Sequence, residues 1–101
     1  MHYFMIEGTF YGPVPVSPEE LENVIKEHIA YLQRGFNEGW MLFSGPKAQT
    51  GGGIILMKAG SMEEVEQFLA DDPLKKSGVQ EYHVVEFRFH DGQPEVKSWF
   101  S

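Results

Sequence analysis

Apolar positions along the chain follow two spacings in turn. From His2 to Phe10, the residues His2, Phe4, Ile6 and Phe10 fall on one side and Tyr3, Met5, Glu7 and Thr9 on the other, an aromatic and branched alternation that predicts a first strand. The period then changes. After Tyr11-Gly12-Pro13-Val14-Pro15, whose prolines lack the N–H a ladder needs, Leu21, Val24, Ile25, Ile29 and Leu32 recur at three- and four-residue steps and mark one face of a helix. Ser17 as N-cap, Pro18 at the first helical position and Glu20 closing a capping box predict its start, and Gly35 to Gly39 its end. Trp40 to Ser44, stopped by Gly45-Pro46, and Gly53 to Lys58 read as two strands of a hairpin linked by Lys47 to Gly52. Ser61 caps a second helix with Glu64 as its partner and Met62, Val65, Phe68 and Leu69 on the buried face. Asp71-Asp72-Pro73 stops that helix, and Pro73 disfavours helical geometry at Asp72. A loop from Leu74 to Gln80, a fourth strand from Glu81 to His90, an Asp91-Gly92 turn and a short extended piece from Val96 to Phe100 complete the chain.

This order, βαββαβ, is the split βαβ arrangement: an α+β fold with a four-stranded antiparallel sheet and both helices on one face. No repeat, low-complexity tract or linker divides it, so residues 1–101 read as a single domain. One sheet face is covered by helices. The other still carries apolar side chains and needs a second layer, which predicts a homodimer or higher homo-oligomer pressed sheet to sheet and sealed by Trp99 and Phe100.

Composition narrows the function classes. With 101 residues, 42% hydrophobic and 14% aromatic, the chain has material for one core without staples, and disorder is excluded. The absence of cysteine removes disulfides and thiolate chemistry and makes a reducing compartment the default. The longest apolar run, Ile54 to Met57, is far below the ~20 residues of a membrane span, and no signal peptide is evident, so a cytoplasmic protein with no membrane partner is expected. A net charge of -7 excludes nucleic acid as a natural partner. The histidines at 2, 28, 83 and 90 show no paired metal spacing, and Gly51-Gly52-Gly53 precedes a strand rather than a helix, so neither a metal nor a phosphate-bearing cofactor is expected.

One residue stands out against the pattern. His28 sits in the middle of the apolar stripe of the first helix, where it is either a satisfied core histidine or a general acid/base. The second reading needs a carboxylate to fix its tautomer, and Asp72, at the forced turn after the second helix, is the candidate. Alone, Asp71 or Asp72 could merely end that helix. Ser44-Gly45-Pro46 ends the second strand with a hydroxyl and a tight turn; without a strand-to-helix elbow Ser44 suits binding a polar substrate atom better than nucleophilic attack.

With His28 in Glu27-His28-Ile29-Ala30-Tyr31-Leu32, Phe43-Ser44-Gly45-Pro46, the glycine-rich hairpin, and Asp72-Pro73 followed by Gly78-Val79, the chain resembles the YciI-like (YCII-related) family over nearly its whole length. The resemblance implies a ferredoxin-like dimeric α/β barrel related to muconolactone-isomerase-like proteins. It also implies a pocket where the family's histidine and aspartate meet, here His28 and Asp72. The chain departs from shorter members in its Pro13 to Pro18 loop and its Trp99-Phe100-Ser101 tail. The expected function is a cofactor-free lyase or isomerase acting on a small polar or aromatic-derived molecule. His28 would be its acid/base, Asp72 the orienting group, and Ser44, Gly45 and Pro46 the substrate contacts. A non-catalytic small-molecule-binding module and a cofactor-independent oxygenase are the alternatives.

Overall fold

The computed structural model describes residues 1–49 and 51–101. Its elements run β1 (His2–Phe10), α1 (Pro18–Glu38), β2 (Met41–Pro46), β3 (Gly52–Ala59), α2 (Met62–Ala70), α3 (Pro73–Lys76), β4 (Gln80–Phe87) and α4 (Pro94–Lys97), with a 3₁₀ turn over Ser98–Phe100. The strands form one antiparallel sheet in the order β2-β3-β1-β4. Helices pack on one face of it, which is the ferredoxin-like α+β fold. Thr50, in the expected hairpin link, lies outside the described residues.

Both long helices start where their caps direct. Ser17 Oγ accepts from the Glu20 N–H at 3.1 Å and Ser61 Oγ from the Glu64 N–H at 3.2 Å. Glu64 reaches back to the Gly60 N–H rather than to that of its own cap. At the end of α1, Gly39 takes a left-handed φ of 85° and the Trp40 N–H bonds the Gly35 carbonyl, a Schellman closure that only glycine enters without strain. The core between helices and sheet is built on Phe4 and Ile6 of β1, Ile55 and Met57 of β3, Leu32 of α1 and Val65 of α2.

Four expectations are corrected. Strand β2 runs on through Gly45 and Pro46; it is an edge strand, where a residue without an N–H is tolerated. Strand β4 starts at Gln80 and ends at Phe87, not His90, because Phe87 already pairs with Tyr3 near the start of β1 and little strand remains beyond it. Val96 to Phe100 is helical rather than extended: Pro94 opens α4, and Trp99 and Phe100 fold back on their own chain. There the Trp99 indole N–H donates to the Gly39 carbonyl at 2.9 Å, Lys58 Nζ donates to the Trp99 carbonyl at 2.6 Å, and the Phe100 ring packs 4.8 Å from Tyr3. Finally, Ile29 is 60% exposed instead of buried in the α1 stripe.

A bulge in β2 decides which residues look toward the helices. Met41 pairs with Met57, but Phe43 pairs with Leu56, so the register slips by one residue at Leu42. Without that slip, alternation would point Phe43 at the helices and Ser44 away. With it, Ser44 sits opposite Ile55 on the helix side and Phe43 faces outward, 47% exposed.

Candidate active site

Asp72 is the most unusual side chain in the protein, a carboxylate with no exposed surface. Sequence local to it explains its backbone: Pro73 forces an extended conformation on Asp72 (φ −65°, ψ 132°) and begins α3, for which Asp72 is the N-cap. One oxygen, Oδ1, accepts from the Leu74 N–H at 2.8 Å. The other, Oδ2, accepts from the Tyr82 hydroxyl at 2.8 Å. His28 Nδ1 lies 2.7 Å from Oδ2 and 2.9 Å from Oδ1. A buried carboxylate without partners would be prohibitively costly; here one donor each from the α2–α3 turn, β4 and α1 converges on it. The two residues singled out by sequence therefore meet.

Helix α1 supplies His28 from above and the turn supplies Asp72 from the side. The His28 side chain is 17% exposed and borders a cleft of about 360 Å³ between α1 and the sheet. Ser44, Gly45 and Pro46 form part of the opposite wall, with Leu32, Ile55 and Leu74 supplying apolar surface between. Ile29 and Phe36 stand exposed at the cleft's edge, which accounts for the apolar residues that α1 does not bury. No donor or acceptor among the described residues engages His28 Nε2. Since Nδ1–H donates to the carboxylate, the neutral ring carries its lone pair on Nε2. Among the described residues no group of three His, Asp or Glu is placed to hold a metal ion.

Tyr82 is the member that sequence reading missed. Burial, and next the Asp72 carboxylate it donates to, push its phenol far above the ordinary tyrosine range, so it remains a proton donor at any physiological pH. Its signal lies in the pairing register, which the sequence does not display. Alternation along β4 places Tyr82 on the helix side opposite Gly8, its hydroxyl in line with the Gln80 amide that faces the same way.

A second hollow of about 390 Å³ lies farther along α1, where Tyr31 stacks on Phe68 with ring centroids 4.8 Å apart and donates to the Phe68 carbonyl at 2.7 Å. Its polar groups are mostly exposed or committed to neighbours, and neither His28 nor Asp72 reaches it.

No curated protein matches the chain in sequence. Solved structures do match in fold. A 5-chloro-2-hydroxyhydroquinone dehydrochlorinase from Burkholderia phenoliruptrix, in complex with 2,5-dihydroxybenzoquinone, is 23% identical with a TM-score of 0.67 over 90% of this chain and 96% of its own. A muconolactone isomerase is 18% identical with a TM-score of 0.73 over 91% and 94%. An antibiotic biosynthesis monooxygenase is 13% identical with a TM-score of 0.58 over 90% and 100%. The architecture is thus shared by enzymes of lyase, isomerase and monooxygenase type, and at these identities what is shared is the fold. The YCII-related domain model matches residues 3–88, a span that holds all of the sheet but His2, α1 to α3 and every residue of the cleft, and the chain belongs to the YCII-related domain family.

Proposed function

We propose that the chain is a cofactor-free enzyme of lyase or isomerase type that moves a proton on a small polar or aromatic-derived substrate with the His28–Asp72 pair. The observation that carries this reading is an imidazole tied through Nδ1 to a fully buried carboxylate while its ring borders an apolar cleft. His28 Nε2 takes a proton from a substrate carbon or hydroxyl, and the resulting imidazolium faces Asp72. The same proton then goes back to a second substrate atom in an isomerisation, or leaves with the departing group in an elimination. Tyr82 and the Leu74 N–H keep Asp72 oriented, and Ser44 with the backbone near Gly45 holds a polar substrate atom. A positioned general base of this kind contributes about 10²–10⁴ in rate. The dehydrochlorinase and isomerase relatives lend support through the type of chemistry their fold accommodates.

The assembly belongs to the same proposal. Met5 (43%), Phe43 (47%) and Val85 (48%) are exposed on the sheet face away from the helices, around an apolar depression of about 510 Å³. A second copy laid sheet to sheet covers it, and light scattering at micromolar concentration should give twice the chain mass.

Turnover is the test. Halogenated hydroxylated rings and small unsaturated lactones are incubated with the protein and followed by proton NMR, with oxygen uptake recorded in parallel. Conversion without oxygen uptake, reduced at least a hundredfold in His28→Ala, is expected. Full turnover by His28→Ala would remove the assignment, binding without conversion would leave a binding module, and oxygen consumption would make the protein an oxygenase.

A further inference from the structure

The cleft contains a polar group that the fold does not use. Gln80 opens β4 on the helix side of the sheet and is 2% exposed, yet its Oε1 meets no hydrogen-bond donor among the described residues. A buried amide oxygen left without a donor is costly and uncommon in folded proteins. The backbone also keeps a place for this amide. Gly8 lies against it on β1, and a Cβ at position 8 would come within 2.5 Å of Gln80 Cδ and 2.8 Å of Oε1.

Two further observations define what could use it. Tyr82, two residues along β4 on the same face, spends its hydroxyl hydrogen on Asp72 Oδ2 and so gives none to the Gln80 oxygen. The carbonyl end is then the part of the amide left over. Gln80 also borders the same cleft as His28 and Ser44, and among the described residues no Lys or Arg lines that cleft, in a chain of net charge -7. Nothing there favours an anion.

We infer that Gln80 is a ligand-anchoring residue whose amide oxygen accepts a hydrogen bond from a hydroxyl of an uncharged, otherwise apolar molecule lying between it and His28. The terminal amide turns about χ3, a broad torsion, to present that oxygen to the cleft. This rests on reading the cleft as the ligand site; it does not require that the ligand be converted.

The experiment is an NMR titration of the labelled full chain with hydroquinone, hydroquinone dimethyl ether and benzoate. Hydroquinone should bind about 3- to 10-fold more tightly than its ether, the yield of one neutral hydrogen bond, and should shift the Gln80 side-chain amide signals. Benzoate should bind more weakly than hydroquinone. Gln80→Met, which keeps the volume and removes the acceptor, should abolish the preference for hydroquinone over the ether. Equal affinities for those two probes in the wild-type chain, or Gln80 signals that hydroquinone leaves unmoved, would overturn the inference even if Gln80→Met failed to fold. His28→Asn separates this from the catalytic reading: the preference for hydroquinone should survive in it while turnover is lost. Turnover surviving in His28→Asn sinks the acid/base assignment and leaves the Gln80 anchor standing.

Discussion

The two faces of the sheet are written by the same strands and break opposite rules. On the helix side, Phe4 and Ile6 are fully buried, yet this face also holds Asp72, Tyr82 and Gln80, polar groups in a place that favours carbon. On the other side, Met5, Phe43 and Val85 lie exposed to solvent beside Glu7, Thr9 and Lys47. Hydrophobic residues at the surface are ordinary one at a time; a contiguous patch of them is not, and neither is a cluster of buried polar groups. In the function proposed above, the first anomaly is where a second copy docks and the second is where the chemistry sits. A strand period of two lets β1 serve both sides without compromise.

That contrast can be broken from either side. The largest effect is expected on the helix side: Asp72→Ala leaves the His28 ring, the Tyr82 hydroxyl and the Leu74 N–H without their common acceptor, and should lower stability by about 3–5 kcal/mol. In a chain of this size each kcal/mol moves the melting temperature by roughly 4–8 °C, so thermal denaturation reads it directly. A loss under about 1 kcal/mol would mean that the carboxylate does not organise this face. On the open side, Val85→Lys brings like charges into the proposed sheet-to-sheet contact, at a cost of several kcal/mol to association. Light scattering should then report a monomer while circular dichroism stays unchanged; an undisturbed dimer would put the contact elsewhere. Tyr82→Phe removes one hydrogen bond to a charged acceptor and should cost about 1.5–3 kcal/mol in urea unfolding, with a smaller loss of turnover than His28→Ala.

The smallest effect lies at the polar end of the open face. Lys47 Nζ sits 2.8 Å from Glu7 Oε2, and that hydrogen bond, followed by the charge itself, holds the Glu7 carboxyl below its ordinary value. A lowered carboxyl contributes stability above its unfolded value, near pH 4.5, and loses it as pH falls through the depressed one. Lys47→Met should therefore flatten the acid limb of the stability curve slightly, and an unchanged limb would show the pair to be screened away.

Legibility in the sequence followed the length of the pattern. Strand β1, α1 and α2 each carry enough repeats of their period, and clear enough caps, to be read within a residue or two. The tail does not: α4 spans only Pro94–Lys97, shorter than any helical period can reveal, and the apolar Val96, Trp99 and Phe100 imitate a strand. The bulge at Leu42 has no local signature either, though it is what turns Ser44 inward. His28 and Asp72 were visible because each sits wrongly for its local pattern, one on an apolar face and one before a proline. Tyr82 and Gln80 were not, because a tyrosine in a strand and a glutamine in a loop look ordinary until the opposing Gly8 is known.

Asp72 caps α3 through Oδ1 and faces the imidazole with both of its oxygens. A descendant without the proposed reaction would still be held to the aspartate, because discarding it would strip the turn behind it of its cap. Retention of the aspartate among sister sequences is thus a poor witness to activity. Decay of Ser44 and Gln80, which the scaffold can spare, is the better sign that a lineage has gone silent.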